Sequence, residues 1–211
     1  AGTPPRSSTA RFRTAGAASI QTRMLTRLAP RLPVFTRPVQ PTYTMIICIA
    51  TTGLPVFSAA LDPHFQPDGV MHEGAMSTAL GLPGNSGESE LLRIGRELDI
   101  LSYSGGHLHF PVVTTAAGIE AIKAAKQQGH HVTCGTTVHH LCWTDADLDG
   151  FNSDMKLSPP LRSAEDRAAL RTAVLDGAVD LVVSDHRPRT PEEHDVDFLV
   201  VKPGIAAVHA V

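Results

Sequence analysis

The first 61 residues of this 211-residue chain contain no acidic residue and no lysine, although they contain seven arginines. The first carboxylate is that of Asp62, and the other 11 of the 18 basic residues share the rest of the chain with all 21 acidic residues. The chain therefore joins a basic N-terminal arm to an acidic body. This asymmetry is typical of a targeting segment, a nucleic-acid-binding arm, or an arm that docks on an acidic partner.

Cysteines are few and long apolar runs are missing. The three cysteines, Cys48, Cys134 and Cys142, show no C-x-x-C spacing, and an odd number excludes a complete disulfide framework and favours reduced thiols. The longest apolar candidate, residues 45–50, falls far short of the roughly 18 residues that span a membrane. The chain also lacks a phosphate-binding glycine loop, a dinucleotide-binding glycine motif and a G-x-S-x-G elbow, so nothing supports a nucleotide-binding fold or a triad hydrolase.

The basic arm, residues 1–45, is rich in Arg, Ser, Thr, Ala and Pro. This composition is typical of an organellar transit peptide, and residues 19–32 can form a basic amphipathic helix. We therefore predict a mitochondrial location and an arm that contacts other protein subunits of a complex. Arginines can also bind nucleic-acid phosphates. The near absence of aromatic residues and the lack of lysine make that alternative the weaker one.

The body, residues 46–211, alternates strand-like and helix-like segments. We expect four strands, at residues 54–58, 107–114, 132–137 and 179–184. We also expect three helices: one from Ser86 or Ser89 to about Leu101, one over 116–128 that Thr115 caps, and one that Ser163 caps and that extends to about residue 176. Strands that alternate with helices predict an α/β fold with parallel strands. A complete (β/α)₈ barrel of TIM type needs about 250 residues, so this chain is short for one.

Several side chains capable of chemistry follow or occupy these strands. His107 and His109 alternate along one strand, so both imidazoles face the same side, while His139, His140 and Asp185 directly follow other strands. Imidazoles with a carboxylate suit zinc. Each residue also has an ordinary interpretation: the histidines as packing or loop residues, and Asp185 as the cap of the following turn.

Two arginines follow Asp185 on a short, rigid segment. Arg187 and Arg189 flank a proline and could together hold an anionic substrate. The alternative is a surface ion pair with Glu192 or Glu193.

Five stretches, in order, carry a resemblance to a known family: TTGLPVFSAALDPH, DGVMHEGAMSTALGLPG, HLHFPVVTTAAGIEAIKAAKQQGHHVTCGTTVHHL, KLSPPLRSAEDRAALRTAVLDGAVDLVVSDHRP and KPGI. From about residue 46 the chain resembles the dihydroorotases, which are metal-dependent cyclic amidohydrolases on a (β/α)₈ barrel. The resemblance implies that the body is the C-terminal half of such a barrel. It also implies a helix over residues 42–51, although their β-branched composition is locally strand-like.

The resemblance further implies a site of two zinc ions, held by an H-x-H pair on the first strand, a carboxylated lysine, two single histidines and a final aspartate. The H-x-H pair and the lysine would precede residue 46, where the arm contains neither, so His107 and His109 are not that pair. The positions of the two single histidines hold Ala59 and Val112, and Arg189 replaces a substrate-binding histidine. Asp185 alone matches a ligand, and we interpret it as vestigial.

These losses predict a catalytically inactive protein, not an enzyme, that binds no cofactor and serves as a structural or accessory subunit of a larger mitochondrial assembly. Its partners would contact the arm and the open strand edge, because unpaired strand edges need cover. One alternative is a zinc-dependent cyclic amidohydrolase, completed by another chain or by a rewired site of His107, His109, His139 and Asp185. Another alternative is a non-catalytic partner of aspartate transcarbamoylase.

Overall fold

The structure of the protein is a computed structural model, which describes residues 53–148 and 151–207. The predicted arm, residues 1–45, and the ambiguous segment 42–51 lie outside the described residues. No helix of the described part is both long enough and apolar enough to cross a membrane.

Six strands and six helices, together with two 3₁₀ turns, make up the described part. In chain order they are β1 (Pro55–Phe57), β2 (Met71–His72), α1 (Ala75–Leu80), β3 (Gly84–Asn85), α2 (Glu88–Ser104), β4 (His107–Phe110), α3 (Ala116–Gln127), β5 (Val132–Thr137), α4 (Val138–Cys142), the turns Asp145–Asp147 and Ser153–Met155, α5 (Ala164–Leu175), β6 (Leu181–Val183) and α6 (Pro191–His194).

Four of the strands form one parallel sheet in the order β1-β4-β5-β6, and β2 pairs with β3 in a small second sheet. The helices α2, α3 and α5 each connect one strand of the main sheet to the next. Parallel neighbours need such crossovers because the chain must return to the same end of the sheet. The prediction of an α/β fold with a partial barrel is confirmed.

The two faces of the main sheet have different surroundings. Under the crossover helices the sheet buries alternate side chains, among them Val56, Leu108, Phe110 and Cys134, which pack with residues such as Ile94, Ile119 and Leu170. The side chains that alternate with these along the strands point to the opposite face and line an open cavity of about 210 Å³. They belong to Pro55, Phe57, His107, His109, Thr133 and Leu181. Phe57 is 67% exposed and Leu181 is 51% exposed, so the described elements leave the face that lines a barrel interior uncovered.

Several predicted boundaries are confirmed, and others move for physical reasons. Thr115 and Ser163 cap α3 and α5 as predicted. β4 ends at Phe110 rather than at residue 114, because Pro111 has no N–H to continue the ladder. Helix α2 begins after Gly87 and extends to Ser104, three residues beyond the prediction. β6 is shorter than its apolar run, and Leu181 and Val182 are exposed because the strand lies at the sheet edge.

A buried carboxylate ties α2 to the segment that follows β4. Glu90 is fully buried and its oxygens accept hydrogen bonds from the main-chain N–H groups of Thr114 and Thr115, both at 2.9 Å from Oε1. The two threonine hydroxyls donate to the same carboxylate at 2.6 and 2.7 Å. Gly118 has no Cβ that would approach Glu90 Oε1 to 2.8 Å, so α3 can pack close to this carboxylate.

A buried arginine extends the same network to the small sheet. Arg162 donates from Nε to the Thr114 hydroxyl at 3.1 Å, and from its terminal nitrogens to the carbonyl and the side-chain oxygen of Asn85 at 2.6 and 3.1 Å. Burial lowers the pKa of Arg162, and the Glu90 charge opposes that shift. We call Glu90, Thr114, Thr115, Asn85 and Arg162 the buried network.

The buried network generates a stability prediction. Glu90→Gln replaces one acceptor oxygen by an NH₂ group that faces main-chain and hydroxyl donors, so we expect it to lower the free energy of unfolding by about 2–4 kcal/mol. The matched control is Glu88→Gln, an exposed residue in the first turn of the same helix, for which we expect about 0.5 kcal/mol or less. Urea unfolding of both variants checks this, and equal losses would contradict the role given to Glu90.

Candidate active site

The main sheet brings the ends of its four strands to one edge. Ala59 follows β1, Val112 follows β4, His139 lies in the short helix after β5, and Asp185 follows β6. Because the strands are parallel, these positions share the C-terminal edge, where barrels of this type carry their chemistry. We call this the C-terminal edge.

Ala59 and Val112 occupy the places at which the resemblance implies single histidine ligands. Each lies two residues beyond the end of its strand, with Ala59 exposed and Val112 half-buried. The backbone around them is fixed, because Ser58 N donates to His109 O at 3.0 Å and Val113 N donates to Gly135 O at 2.8 Å. The structure thus puts both residues where the resemblance requires ligands, but neither side chain carries a donor atom.

His139 is the buried imidazole of the C-terminal edge. It is 1% exposed, it lies in a helix whose N-cap is Thr137, and its ring stacks on Trp143 with centroids 5.7 Å apart. Neither ring nitrogen has a well-formed hydrogen bond among the described residues. Burial lowers the pKa of His139, and the nearby Asp185 carboxylate opposes the shift, so a neutral imidazole lies beside a carboxylate.

Asp185 adopts a backbone conformation that the sequence does not reveal. Its φ is +46°, in the left-handed region that costs energy for residues other than glycine and that aspartate tolerates better than most. Its carboxylate forms an ion pair with Arg187, with Oδ1 2.8 Å from Nε. Such strain at a strand end is often associated with functional sites, and here it aims the Asp185 side chain toward Arg187.

The histidines of β4 lie away from this edge. His109 Nδ1 lies 2.8 Å from the Thr133 hydroxyl, and the His107 ring contacts His131 with centroids 5.5 Å apart. Both residues precede the end of their strand. In the described ranges, no three or more His, Cys, Asp or Glu side chains come together where they could hold a metal ion.

The hypothetical rewired set of His107, His109, His139 and Asp185 is therefore not assembled in the described part of the chain. A zinc ion in a protein needs about four ligands. The described residues by themselves thus do not fit the pair of zinc ions that the resemblance implies.

The two arginines after Asp185 already have partners within the chain. Arg187 pairs with Asp185, while Arg189 donates to Pro203 O at 3.3 Å and lies 3.8 Å from Glu193. The alternative of an ion pair with Glu193 is what the structure shows for Arg189. Arg187 is the more available cation, because its side chain is 53% exposed.

His140 links the end of β5 to the segment before α5. It is 3% exposed, with Nδ1 2.7 Å from the Thr137 hydroxyl and Nε2 3.2 Å from Pro160 O. Burial lowers the pKa of His140 to about 4. Sequence reasoning placed His140 at a strand end but missed this bridging role, as it missed the buried network that fixes the neighbouring loops.

Solved structures share the fold of this chain. A dihydropyrimidinase from Brevibacillus agri superposes with a TM-score of 0.65 at 21% identity, over 78% of this chain and 38% of that protein. Dihydroorotase from Saccharomyces cerevisiae, in complex with 5-fluoroorotic acid, superposes with a TM-score of 0.58 at 17% identity, over 78% of this chain and 43% of that protein. The described body thus has the fold of part of such a barrel.

Sequence similarity to curated proteins points to a particular family. The chain is 42% identical over 158 residues to a dihydroorotase of Anaeromyxobacter dehalogenans and 38% identical over 169 residues to one of Thermus aquaticus, which covers 74% and 77% of the chain. No protein-family model matches it. The chain is homologous to the dihydroorotases, and it spans 36 and 40% of the length of these two relatives.

This homology corrects one prediction. The expectation that the chain is not an enzyme is wrong, because the relatives that match it at about 40% identity carry the name of an enzyme. The inference of inactivity rested on the side chains at positions 59 and 112 and on the missing H-x-H pair and lysine.

The buried His140 generates a pH prediction. The folded protein keeps His140 neutral down to about pH 4, whereas the unfolded chain takes up a proton near pH 6.5. Stability is therefore lost as the pH falls from 6.5 to 4, by roughly 3 kcal/mol for this group. We expect His140→Asn to remove that part of the pH dependence in urea unfolding, while the exposed control His64→Asn retains it. An unchanged pH profile in His140→Asn would contradict this assignment.

Proposed function

We propose that this chain provides the C-terminal part of the barrel of a hydrolase that acts on cyclic amides, as the dihydroorotases do. The observation that carries the proposal is the 38–42% identity to dihydroorotases over 158–169 residues. The match covers 74–77% of this chain. The remaining strands and most of the site would come from polypeptide outside the described residues.

Asp185 is the residue of this chain that the proposal places among the reacting groups. The resemblance makes it the final aspartate of the site, and the left-handed backbone and the ion pair with Arg187 hold its carboxylate at the C-terminal edge. The implied zinc ions would supply Lewis-acid chemistry, but their ligands would have to come largely from outside the described residues. The contribution of the described chain is to hold Asp185 and the loops around it.

Arg187 is the group that would recognise an anionic substrate. It lies beside Asp185 with half of its side chain exposed, and a guanidinium can bind a carboxylate with two parallel hydrogen bonds. A cyclic amide that carries a carboxylate would meet both groups at once. Arg189 is less suited, because Glu193 and Pro203 already hold it.

The first test supplies the missing half of the barrel. The chain is mixed with zinc and with the N-terminal segment of the Thermus aquaticus dihydroorotase that precedes the matched stretch, and hydrolysis of dihydroorotate is measured. We expect turnover with the natural chain and a loss of at least about 100-fold in Asp185→Asn, as for removal of a group that acts in the transition state. Asp195→Asn, an exposed carboxylate on the same segment, should retain full turnover.

A double variant shows whether a lack of turnover comes from the missing histidines or from a barrel that does not assemble. Ala59→His with Val112→His places imidazoles at both positions where the resemblance implies ligands. Turnover in this double variant, with none in the natural chain, would refute the proposed activity of the natural chain while supporting its place in the barrel. No turnover in either would refute the proposed activity, with assembly of the two halves checked by light scattering.

Mitochondrial targeting by the arm is a further part of the proposal. The support is the composition of residues 1–45, with seven arginines and no acidic residue. We expect these residues, placed after a start methionine and before a fluorescent protein, to direct it to mitochondria. Replacement of all seven arginines by glutamine should abolish import, because transit peptides depend on their basic face. Equal import of both versions, or of neither, would contradict targeting.

A further inference from the structure

Residues 198–207, which we call the strap, lie against residues 186–189 at the C-terminal edge. Arg187 N donates a hydrogen bond to Ile205 O at 2.9 Å, and an isolated parallel bridge joins His186 to Ile205. A main-chain hydrogen bond restricts local motion only while both of its partners stay in place. The main-chain position of Arg187 therefore depends on the position of the strap.

Two further contacts keep the strap close to this loop. Arg189 Nη2 donates to Pro203 O at 3.3 Å. A Cβ at Gly204 would lie 2.6 Å from Arg187 O, a separation that no larger residue could keep, so the close approach requires glycine. The strap thus packs directly on the main chain that carries the Arg187 side chain.

Lys156 is a buried cation that anchors the strap. It is 6% exposed, and its Nζ donates to Phe198 O at 2.6 Å and to Leu199 O at 3.2 Å. The same Nζ lies 5.2 Å from the centroid of the Phe198 ring, a favourable position for a cation. The main-chain carbonyl of Lys156 accepts a hydrogen bond from Gly204 N at 2.9 Å. One residue thereby holds both the beginning and the middle of the strap.

The strap has few other anchors near its beginning. Phe198 and Val201 are each 3% exposed, whereas Leu199 and Val200 are 52% and 73% exposed and contribute little packing. Without the ammonium group of Lys156, the carbonyls of residues 198 and 199 would lose their donor, and an interior carbonyl without a donor is costly. Loss of this lysine should therefore release the strap locally rather than unfold the core.

We propose that Lys156 is a positioning residue for Arg187, because it fixes the strap on which the main chain of Arg187 is held. The inference rests on the proposed function in one respect, the carboxylate-bearing substrate that Arg187 would bind. A rigid main chain keeps the guanidinium beside Asp185, where both groups would meet that substrate. Lys156 would thus set the affinity for the substrate anion through the strap.

The first test is hydrogen exchange of the 211-residue chain, followed by mass spectrometry. Lys156→Met keeps the length of the side chain and removes its donors. We expect the amides of residues 186–189 and 203–207 to exchange at least about 10-fold faster, with those of α3 unchanged. Lys156→Arg, which retains donors, should exchange within about 3-fold of the unaltered chain.

Lys202→Met is the matched control, because Lys202 is an exposed lysine of the same strap. It should exchange as the unaltered chain does. If Lys156→Met does not fold, Gly204→Ala takes its place, since the added Cβ pushes the strap away from Arg187 O. The same local acceleration over residues 186–189 is then expected.

The second test measures KM and kcat for dihydroorotate in the complex with zinc and the Thermus aquaticus segment. A misplaced cation weakens binding of the anion in the ground state and the transition state alike. We therefore expect Lys156→Met to raise KM at least about 10-fold and to change kcat less than about 3-fold. In an Arg187→Gln background the same substitution should leave KM unchanged, because two residues that act through each other are not additive.

Unchanged exchange over residues 186–189 in Lys156→Met would overturn the positioning role. Acceleration throughout the chain, α3 included, would also overturn it, and so would an equal rise of KM with and without Arg187. If the unaltered chain shows no turnover in the complex, the proposed function fails and hydrogen exchange alone decides the role of Lys156. Failure of the positioning role is thus distinguishable from failure of the hydrolase.

Discussion

The carboxylate of Glu90 is the point from which the geometry of the C-terminal edge follows. In the interior it accepts hydrogen bonds from the main-chain N–H groups and the hydroxyls of Thr114 and Thr115. Arg162 donates hydrogen bonds both to the Thr114 hydroxyl and to Asn85. A buried charge is tolerated only when such partners surround it. The crossover helix α2, the end of β4 and the small sheet are consequently held in one arrangement.

The histidines around this edge differ in whether their hydrogen-bonding capacity is used. Both ring nitrogens of His140 have partners, which makes it part of the scaffold. His139 is equally buried, yet it lacks well-formed partners in the described part, and it lies beside a strained Asp185.

The two faces of the main sheet are covered to different extents. Its helix-covered face is a packed core, while its other face exposes Phe57 and Leu181. In relatives more than twice as long, further polypeptide is available to cover the corresponding face. The described part of this chain leaves that face open.

The sequence by itself determined the alternation of strands and helices, the caps at Thr115 and Ser163, and the kinship with dihydroorotases. These depend on local periodicity, side-chain hydrogen bonds to nearby main chain and the order of motifs, all of which are written along the chain. The sequence placed Ala59, Val112, His139 and Asp185 at strand ends. It did not show that His107 and His109 lie apart from that edge. It also suggested that lost ligands meant lost enzyme status, which the homology contradicts.

Only the tertiary structure decided the partners of the buried groups. Glu90 and Thr114 are 24 residues apart, and Arg162 and Asn85 are 77 apart, so no local pattern could pair them. The left-handed turn at Asp185 and the exposure of the apolar strand β6 likewise depend on where the sheet ends. An apolar run is buried only if other residues pack against it. The sequence of the run does not show whether they do, because that depends on the folded sheet.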